Sequence, residues 1–284
     1  MKKIFIGGAT LAALALSVPA MAADLPVKAP LYKAPVEVPY DWSGFYVGLN
    51  GGYSWGRSAT DFSVAGVTVL STTQDLRGSV FGGQAGYNWQ FNRNWLFGLE
   101  ADIQATGQRG SFNFPTGTVG PICPGPAAVA LPCTTTVTTG TFEQKLPWFG
   151  TARARLGVLP GDRVLLYVTG GLAFGEVETD ATATSTTTTA FLPNGPVVGT
   201  TVTNATASAN TTRGGWTVGG GAEWVISGPW TAKVEYLHID LGTITNTFAA
   251  FGGFGTVTAS SHVTDDIVRV GLNYRFGGPV VARY

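Results

Sequence analysis

Residues 95–105 read WLFGLEADIQA, a pattern from which the type of fold can be inferred. Its odd-numbered positions, beginning with Trp95, are all apolar, whereas its even-numbered positions include Glu100 and Asp102. Alternate side chains of a β-strand point to opposite faces. The stretch therefore predicts a strand with one apolar face and one acidic face. Such a strand fits a soluble sheet that buries its apolar face, or a membrane strand that turns that face to lipid.

Seven further stretches, each of about ten residues as membrane strands require, repeat this alternation. Together the eight predicted strands lie at residues 45–55, 80–91, 95–105, 148–158, 164–175, 216–226, 230–239 and 267–276. The connections near residues 92, 160 and 228 are short, and those near residues 66, 126, 195 and 252 are long. Strict alternation of short and long connections is typical of membrane barrels with short periplasmic turns and long external loops.

The sequence thus predicts an all-β fold: an eight-stranded antiparallel transmembrane up-and-down β-barrel with short periplasmic turns and four long external loops. Charged residues make up only 12% of the chain, below the roughly 25% of soluble domains. Beyond the N-terminus no apolar run of about 18 residues predicts a membrane helix. The alternative is a soluble sandwich or a lipocalin-like barrel, which the alternation of short and long loops disfavours.

Three segments are predicted along the chain. Residues 1–22 form a secretory signal peptide, with Lys2 and Lys3 before an apolar stretch and a small-x-small cleavage site. A short membrane anchor is the alternative for this segment. Residues 23–43 form a proline-rich periplasmic tether, because proline at this density disfavours helix and sheet. Residues 44–284 form the outer-membrane barrel.

Removal of the signal peptide changes the charge balance slightly. Loss of Lys2 and Lys3 leaves 15 basic against 17 acidic residues, a formal net charge of −2. A chain with this balance lacks the basic footprint of a nucleic-acid-binding protein.

The two cysteines, Cys123 and Cys133, each lie beside a proline in a long predicted loop. In an exported protein such a pair is expected to form one disulfide. Two free thiols are the alternative. Two cysteines and two distant histidines do not have the spacing of a zinc site, so no metal site is expected.

Nine charged side chains fall on the polar faces of the predicted strands and would face the barrel interior. They are Glu100, Asp102, Arg153, Arg155, Glu223, Lys233, Glu235, Arg269 and Arg275. The acids of the third strand would pair with the arginines of the fourth, and Lys233 and Glu235 would lie beside Arg269. Because side chains can fill the interior of an eight-stranded barrel, these balanced charges favour a plugged lumen. The alternative is a selectivity filter in a narrow pore.

A small group of residues near the external ends of the last two strands is the only candidate for catalysis. It comprises His238, Asp240, Ser261, His262, Asp265 and Asp266. Catalytic triads are recognised by geometry rather than by order in the sequence. Solvated residues at the rim of the loops explain the same pattern, so we predict that the chain is not an enzyme and has no catalytic or cofactor-binding residues.

Several strand motifs resemble, in order, those of the alphaproteobacterial outer-membrane immunogenic-protein family of small OmpA-like barrels. The motifs are DWSGFYVGLNGGYSWG, YNWQFNRNWLFGLEADIQ, LPWFGTARARLGVL, DRVLLYVTGGLAFG, WTAKVEYLHIDLG and VRVGLNYRF. The resemblance implies a surface barrel of the Gram-negative outer membrane that supports envelope integrity and is recognised by host immunity. Some members of the family act as porins or bind haemin.

The resemblance leads to specific expectations about function and partners. We expect a structural surface barrel, with a narrow porin or loop-mediated ligand or haemin binding as alternatives. No pair of histidines is suited to haem iron, which weakens the haemin alternative. The expected partners are outer-membrane lipid, lipopolysaccharide and the barrel-assembly machinery, which would read Phe276 or Tyr284 as a terminal aromatic signal. No cofactor is expected.

Overall fold

The computed structural model describes residues 40–124, 131–191, 195–248 and 256–277. Its strands are β1 (Gly44–Val64), β2 (Val67–Gln90), β3 (Trp95–Ile122), β4 (Pro132–Val158), β5 (Val164–Phe191), β6 (Val197–Ser227), β7 (Trp230–Phe248) and β8 (Val257–Arg275). Each strand pairs with the next in antiparallel fashion, and β1 pairs with β8 to close a barrel. The predicted eight-stranded antiparallel barrel is confirmed.

The two faces of each strand differ as the alternation predicts. In β3, Leu99 and Ile103 point outward and are 49% and 61% exposed, whereas Glu100 and Asp102 point inward and are buried. The outward band of apolar side chains is flanked by aromatic residues near the short turns, among them Trp95, Trp230 and Tyr274. Such an apolar band with an aromatic girdle is the lipid-facing surface of a membrane barrel. No helix long and apolar enough to cross a membrane occurs among the described residues.

The segments predicted as four long external loops are mostly strand, which corrects that part of the prediction. The strands have 19 to 31 residues and continue beyond the apolar band. β1 and β2 are joined by only Ala65 and Gly66, both at positive φ, as a two-residue hairpin requires. The threonine-rich tracts extend β4, β5 and β6 because threonine is favoured in strands, and cross-strand pairs such as Thr136–Thr187 are hydrogen-bonded at 3.0 Å.

The barrel divides into two sheets above the apolar band. Among the described residues, the β2–β3 ladder ends at Arg77 opposite Arg109, and the β6–β7 ladder ends at Trp216 opposite Asp240. The other ladders continue, so β7, β8, β1 and β2 form one sheet and β3, β4, β5 and β6 form the other. We call this part the outer sandwich. Its core contains Phe62, Phe142, Ala181, Ala183, Phe248 and Ala259.

The barrel also begins earlier than predicted. Residues 40–43, which the proline-rich composition assigned to the tether, belong to the packed unit. Trp42 is 1% exposed and packs with Leu96, Leu165 and Tyr167 at the end that carries the short turns. The predicted signal peptide and the rest of the tether lie outside the described residues.

Candidate functional site: the barrel interior

Arg153 lies at the centre of the interior and contacts three carboxylates at once. Its guanidinium donates to Glu100, to Asp102 Oδ2 at 2.8 Å and to Glu235 Oε1 at 3.1 Å. The contact with Glu100 follows directly from the strand register, because Glu100 and Arg153 are partners in the β3–β4 ladder. None of these side chains is more than 3% exposed, so all of these pairs are shielded from water.

Two further cations surround the same three acids. Arg269 Nη2 lies 2.6 Å from Glu235 Oε2 and 3.0 Å from Asp102 Oδ2. Lys233 Nζ lies 3.2 Å from Glu100 Oε1 and 3.5 Å from Glu235 Oε2. Asp102 and Glu100 are on β3, whereas Arg269 is on β8 and Lys233 on β7, three and four strands away around the closed barrel. The contacts of Arg269 with Asp102 and of Lys233 with Glu100 therefore cross the lumen.

Arg155 and Glu223 form the lower part of the cluster, nearer the short turns. Their side chains approach to 3.3 Å. The Arg155 guanidinium also donates to Asn88 Oδ1, at 2.9 and 2.7 Å, and lies 4.6 Å from the ring centre of Tyr46. A cation over an aromatic face is stabilised by the ring quadrupole. The ring of Tyr167, 5.3 Å from the same guanidinium, completes the enclosure.

Eight of the nine predicted interior charges therefore meet in one cluster, which we call the central charge cluster. Its members are Glu100, Asp102, Arg153, Arg155, Glu223, Lys233, Glu235 and Arg269. Four acids and four bases balance in formal charge. The ninth, Arg275, lies apart at the short-turn rim, where it donates to the Ser43 carbonyl oxygen and stacks on Tyr40.

Neutral side chains that the sequence reasoning missed complete the hydrogen bonds of the acids. The Tyr46 hydroxyl donates to Glu100 at 2.6 Å, and the Tyr167 hydroxyl donates to Glu235 at 2.9 Å. Thr151 donates to Asp102 at 2.7 Å. These residues occupy the same inward positions of their strands as the charged ones. Strand parity identifies them as inward residues, but it does not reveal which acid each one meets.

Apolar and polar layers fill the interior above the charge cluster. The next layer is mainly apolar and includes Phe149, Leu237 and Ile267, each with no exposed surface. The buried polar residues Ser54 and Gln104 lie at the same level, as ladder partners of Ile267 and Phe149. Above it, Ser261 contacts Thr60 at 2.8 Å and accepts from Gln144 at 3.1 Å. Among the described residues no group of three or more histidine, cysteine, aspartate or glutamate side chains is arranged to hold a metal ion.

The candidate catalytic residues are divided between the two faces of the wall. Ser261 points inward, whereas His262 points outward and its Nε2 lies 3.7 Å from Asp240. His238 Nδ1 contacts Asp266 at 2.8 Å, also on the outward face. Ser261 therefore has no hydrogen bond to either histidine, and these residues do not assemble a nucleophile with its base.

The two cysteines are bonded to each other, with Cα atoms 4.3 Å apart. The bond joins Cys123, the residue just after β3, to Cys133, the second residue of β4. It closes the tip of this hairpin at the end of the barrel opposite the short turns.

Asp265 is a buried carboxylate that forms no ion pair with any cation of the described residues. Outward positions of β8 are apolar only from Val268 onward, so Asp265 lies above the lipid-facing band. Its carboxylate accepts from Ser54 and from Gln108 Nε2, the latter at 2.7 Å. Burial raises the pKa of the Asp265 carboxyl to about 6, and these hydrogen bonds offset the effect only partly.

This raised pKa makes stability depend on pH. The folded state binds the Asp265 proton more tightly than the unfolded chain, so the stabilisation is complete below about pH 4 and is lost as pH rises through about 6. Asp265→Asn cannot ionise. We compare the free energy of unfolding of this variant with that of the wild type at two pH values. The difference, variant minus wild type, is expected to be about 1–3 kcal/mol more positive at about pH 8 than at about pH 4. Urea titrations at both pH values measure this, and a difference that does not change with pH would contradict it.

The family model and the known proteins that this chain is similar to all point to outer membrane proteins. A family model described as an outer membrane protein beta-barrel domain matches residues 8–276. The 31 kDa outer-membrane immunogenic protein of Brucella melitensis is 34% identical over 295 residues, which cover 97% of this chain and all of that protein. The 22 kDa outer membrane protein of Rhizobium leguminosarum bv. viciae is 27% identical over 210 residues, covering 73% of this chain and 68% of that protein.

Two solved structures illustrate the range of similar folds. Neisserial surface protein A is 13% identical, with a TM-score of 0.33. The alignment covers 82% of this chain and 98% of that protein. The outer membrane protein OprG from Pseudomonas aeruginosa is 11% identical, with a TM-score of 0.42, and covers 82% of this chain and 96% of its own.

Proposed function

We propose that this chain, which belongs to the outer membrane protein beta-barrel family, is a structural surface protein that supports envelope integrity with its lumen closed to solutes. The observation that carries the proposal is the central charge cluster. Its ionic contacts lie in the cross-section of the lumen and leave each participating side chain 4% exposed or less. An ion entering there would have to displace matched charges whose mutual attraction offsets the cost of their burial.

Filling above and below the cluster supports the same proposal. Trp42 covers the short-turn end, and the mainly apolar layer around Phe149 lies directly above the charges. A conducting pore needs a continuous wet path or charged rings that ions can enter and leave. Here the charged groups are paired with one another, and a buried, mainly apolar layer follows them.

The proposal includes the partners of the barrel. Outer-membrane lipid and lipopolysaccharide would contact the outward apolar band and the residues just above it. Phe276, which is 48% exposed at the end of β8, would be the aromatic signal read by the barrel-assembly machinery. The other predicted signal residue, Tyr284, lies outside the described residues.

Conductance recordings separate this function from a narrow porin. We expect refolded wild-type protein in planar bilayers to give no stable open steps, because the cluster blocks ions. The double variant Lys233→Ala with Glu235→Ala removes one charge of each sign and two long side chains, and should give measurable openings. The matched control, Thr245→Ala with Ser260→Ala, changes a cross-strand pair at exposed positions and should stay closed.

Stable wild-type conductance that both double variants leave unchanged would overturn the closed-lumen proposal in favour of a porin. The cellular counterpart uses the same proteins. A bacterial strain that does not produce this protein should become sensitive to detergents and bulky antibiotics. Expression of the wild-type protein or of the control variant should restore resistance. Unaltered sensitivity in that strain would contradict a role in envelope integrity.

A further inference from the structure

The side of the outer sandwich where β2 and β3 separate is open to the outside. Above the Arg77–Arg109 pair, these strands form no further ladder among the described residues. The edge of β3 also carries Pro115, which has no N–H to donate to a neighbouring strand. We call this opening the β2–β3 seam.

A cavity of about 290 Å³ lies behind the seam. It extends between the two sheets, and residues from both line it: Phe62, Val64, Val69, Leu70, Phe114 and Ala183. Phe62 meets Phe114 edge to face, with ring centres 5.1 Å apart and planes at 69°, and meets Phe142 in the same way at 5.0 Å and 87°. The rings of Phe62 and Phe114 give the cavity an aromatic wall, and Phe142 packs behind Phe62.

Within the described parts of the chain, no charged side chain lines the cavity, and this determines the chemistry of a ligand. The side-chain hydroxyls that line the cavity belong to Thr138 and Thr139, and that of Thr138 is already bonded to Ser185 at 3.0 Å. A charged ligand would lose its hydration without gaining a partner, at a cost of several kcal/mol. An apolar lining of this kind favours an apolar molecule instead.

We propose that this cavity binds a neutral aromatic molecule of one or two rings, which enters from the external medium through the β2–β3 seam. Its volume is about twice that of an engineered apolar cavity that holds benzene, which sets the upper size. Edge-to-face contact with Phe62 and Phe114 favours an aromatic ring over an aliphatic chain of equal volume. The seam lies above the lipid-facing band, because Trp55, at the outer edge of that band, is the ladder partner of Arg77, where the seam begins. The ligand therefore comes from water rather than from the bilayer.

This inference goes beyond the proposed function and holds whether or not the lumen conducts. The test uses refolded protein labelled with 4-fluorophenylalanine in lipid nanodiscs, with naphthalene as the probe and ¹⁹F NMR as the measurement. The resonances of Phe62 and Phe114 are expected to shift to a plateau as naphthalene is added. Those of Phe81 and Phe97, which face lipid and are 62% and 39% exposed, should shift only in proportion to the naphthalene dissolved in the bilayer.

Variants that fill the cavity make the test specific. Ala183→Leu should weaken the apparent affinity about tenfold or more, because its side chain occupies the ligand volume. Gly117→Leu is a second filling variant, since an added Cβ there would meet only the Thr138 carbonyl oxygen at 4.0 Å. Thr182→Leu, on the outward face one residue from Ala183, is the matched control and should bind as wild type does.

The heat-modifiable shift on a gel shows which variants are folded. Saturable shifts at Phe62 and Phe114 that either folded filling variant abolishes support the site. Shifts at these residues that merely follow those of Phe81 and Phe97, or that persist unchanged in both filling variants, would overturn it.

Discussion

Arg153→Met is expected to lower the free energy of unfolding by about 3–5 kcal/mol, as breaking a buried ion pair usually does. Arg153 is fully buried and is shared by Glu100, Asp102 and Glu235. Without it, Lys233 and Arg269 must balance three carboxylates, and one negative charge stays uncompensated inside the barrel. Urea titration in lipid vesicles, followed by tryptophan fluorescence, measures the change.

Two further variants show whether this loss comes from the buried network. Arg77→Met removes a cation whose side chain is 61% exposed and pairs only with Asp75 among the described acids, so it should cost less than about 1 kcal/mol. Arg153→Lys keeps the positive charge but loses the planar guanidinium, so its loss in free energy of unfolding is expected to lie between those of the other two variants. Equal losses in Arg153→Met and Arg77→Met would refute the view that the central charge cluster holds the barrel together.

The membrane strands and the inward charges could be predicted because both depend on a period of two. Once Leu99 is assigned to lipid, Glu100 must face the interior, and a slip of one residue would turn every side chain of the strand over. The pairing of β3 with β4 then places Glu100 beside Arg153. Contacts across the lumen, such as Arg269 with Asp102, could not be predicted, because they depend on barrel diameter and on rotamers.

The external half of the molecule was predicted poorly for a physical reason. The threonine-rich tracts of β5 and β6 have only small alanines, such as Ala181 and Ala183, on their apolar face, so the alternation of large apolar side chains that marks a lipid-facing strand is missing there. Strand pairing in that region depends on neighbouring strands already ordered by the membrane part. Asp265 shows the same limit. Asp265 and Arg269 are separated by an even number of positions, so Asp265 is predicted to face the interior of the barrel. Its burial away from water, however, depends on the extension of β8 beyond the lipid, which the sequence did not predict.

The tether shows how one side chain can override composition. Four prolines of the tether precede Trp42, and they predict an extended chain without contacts. Nevertheless, the Trp42 backbone N–H donates to Gln90 Oε1 at 2.9 Å, and its indole N–H donates to the Asp162 carbonyl oxygen at 3.1 Å. The ring meets Tyr40 edge to face at 5.2 Å. These contacts attach the end of the tether to the short turns of the barrel.

Trp42→Ala is therefore expected to lower the free energy of unfolding by about 3–5 kcal/mol, because it leaves a cavity among Leu96, Leu165 and Tyr167. The same urea titration measures the loss. Trp95→Ala is the matched control at the same end of the barrel. Trp95 is 43% exposed toward lipid, which can fill the space that its removal leaves, so the cost should be clearly smaller.

The Trp42→Ala variant also distinguishes residues that stabilise the barrel from residues that close its lumen to ions. If the central charge cluster closes the lumen, Trp42→Ala should weaken the barrel yet remain without stable conductance, because Arg153 and its three acids stay in place. Lys233→Ala with Glu235→Ala should show the converse, with conductance as the main change. A Trp42→Ala protein that conducts while its charge cluster is intact would place the seal at the short-turn end instead. The charges would then serve stability alone.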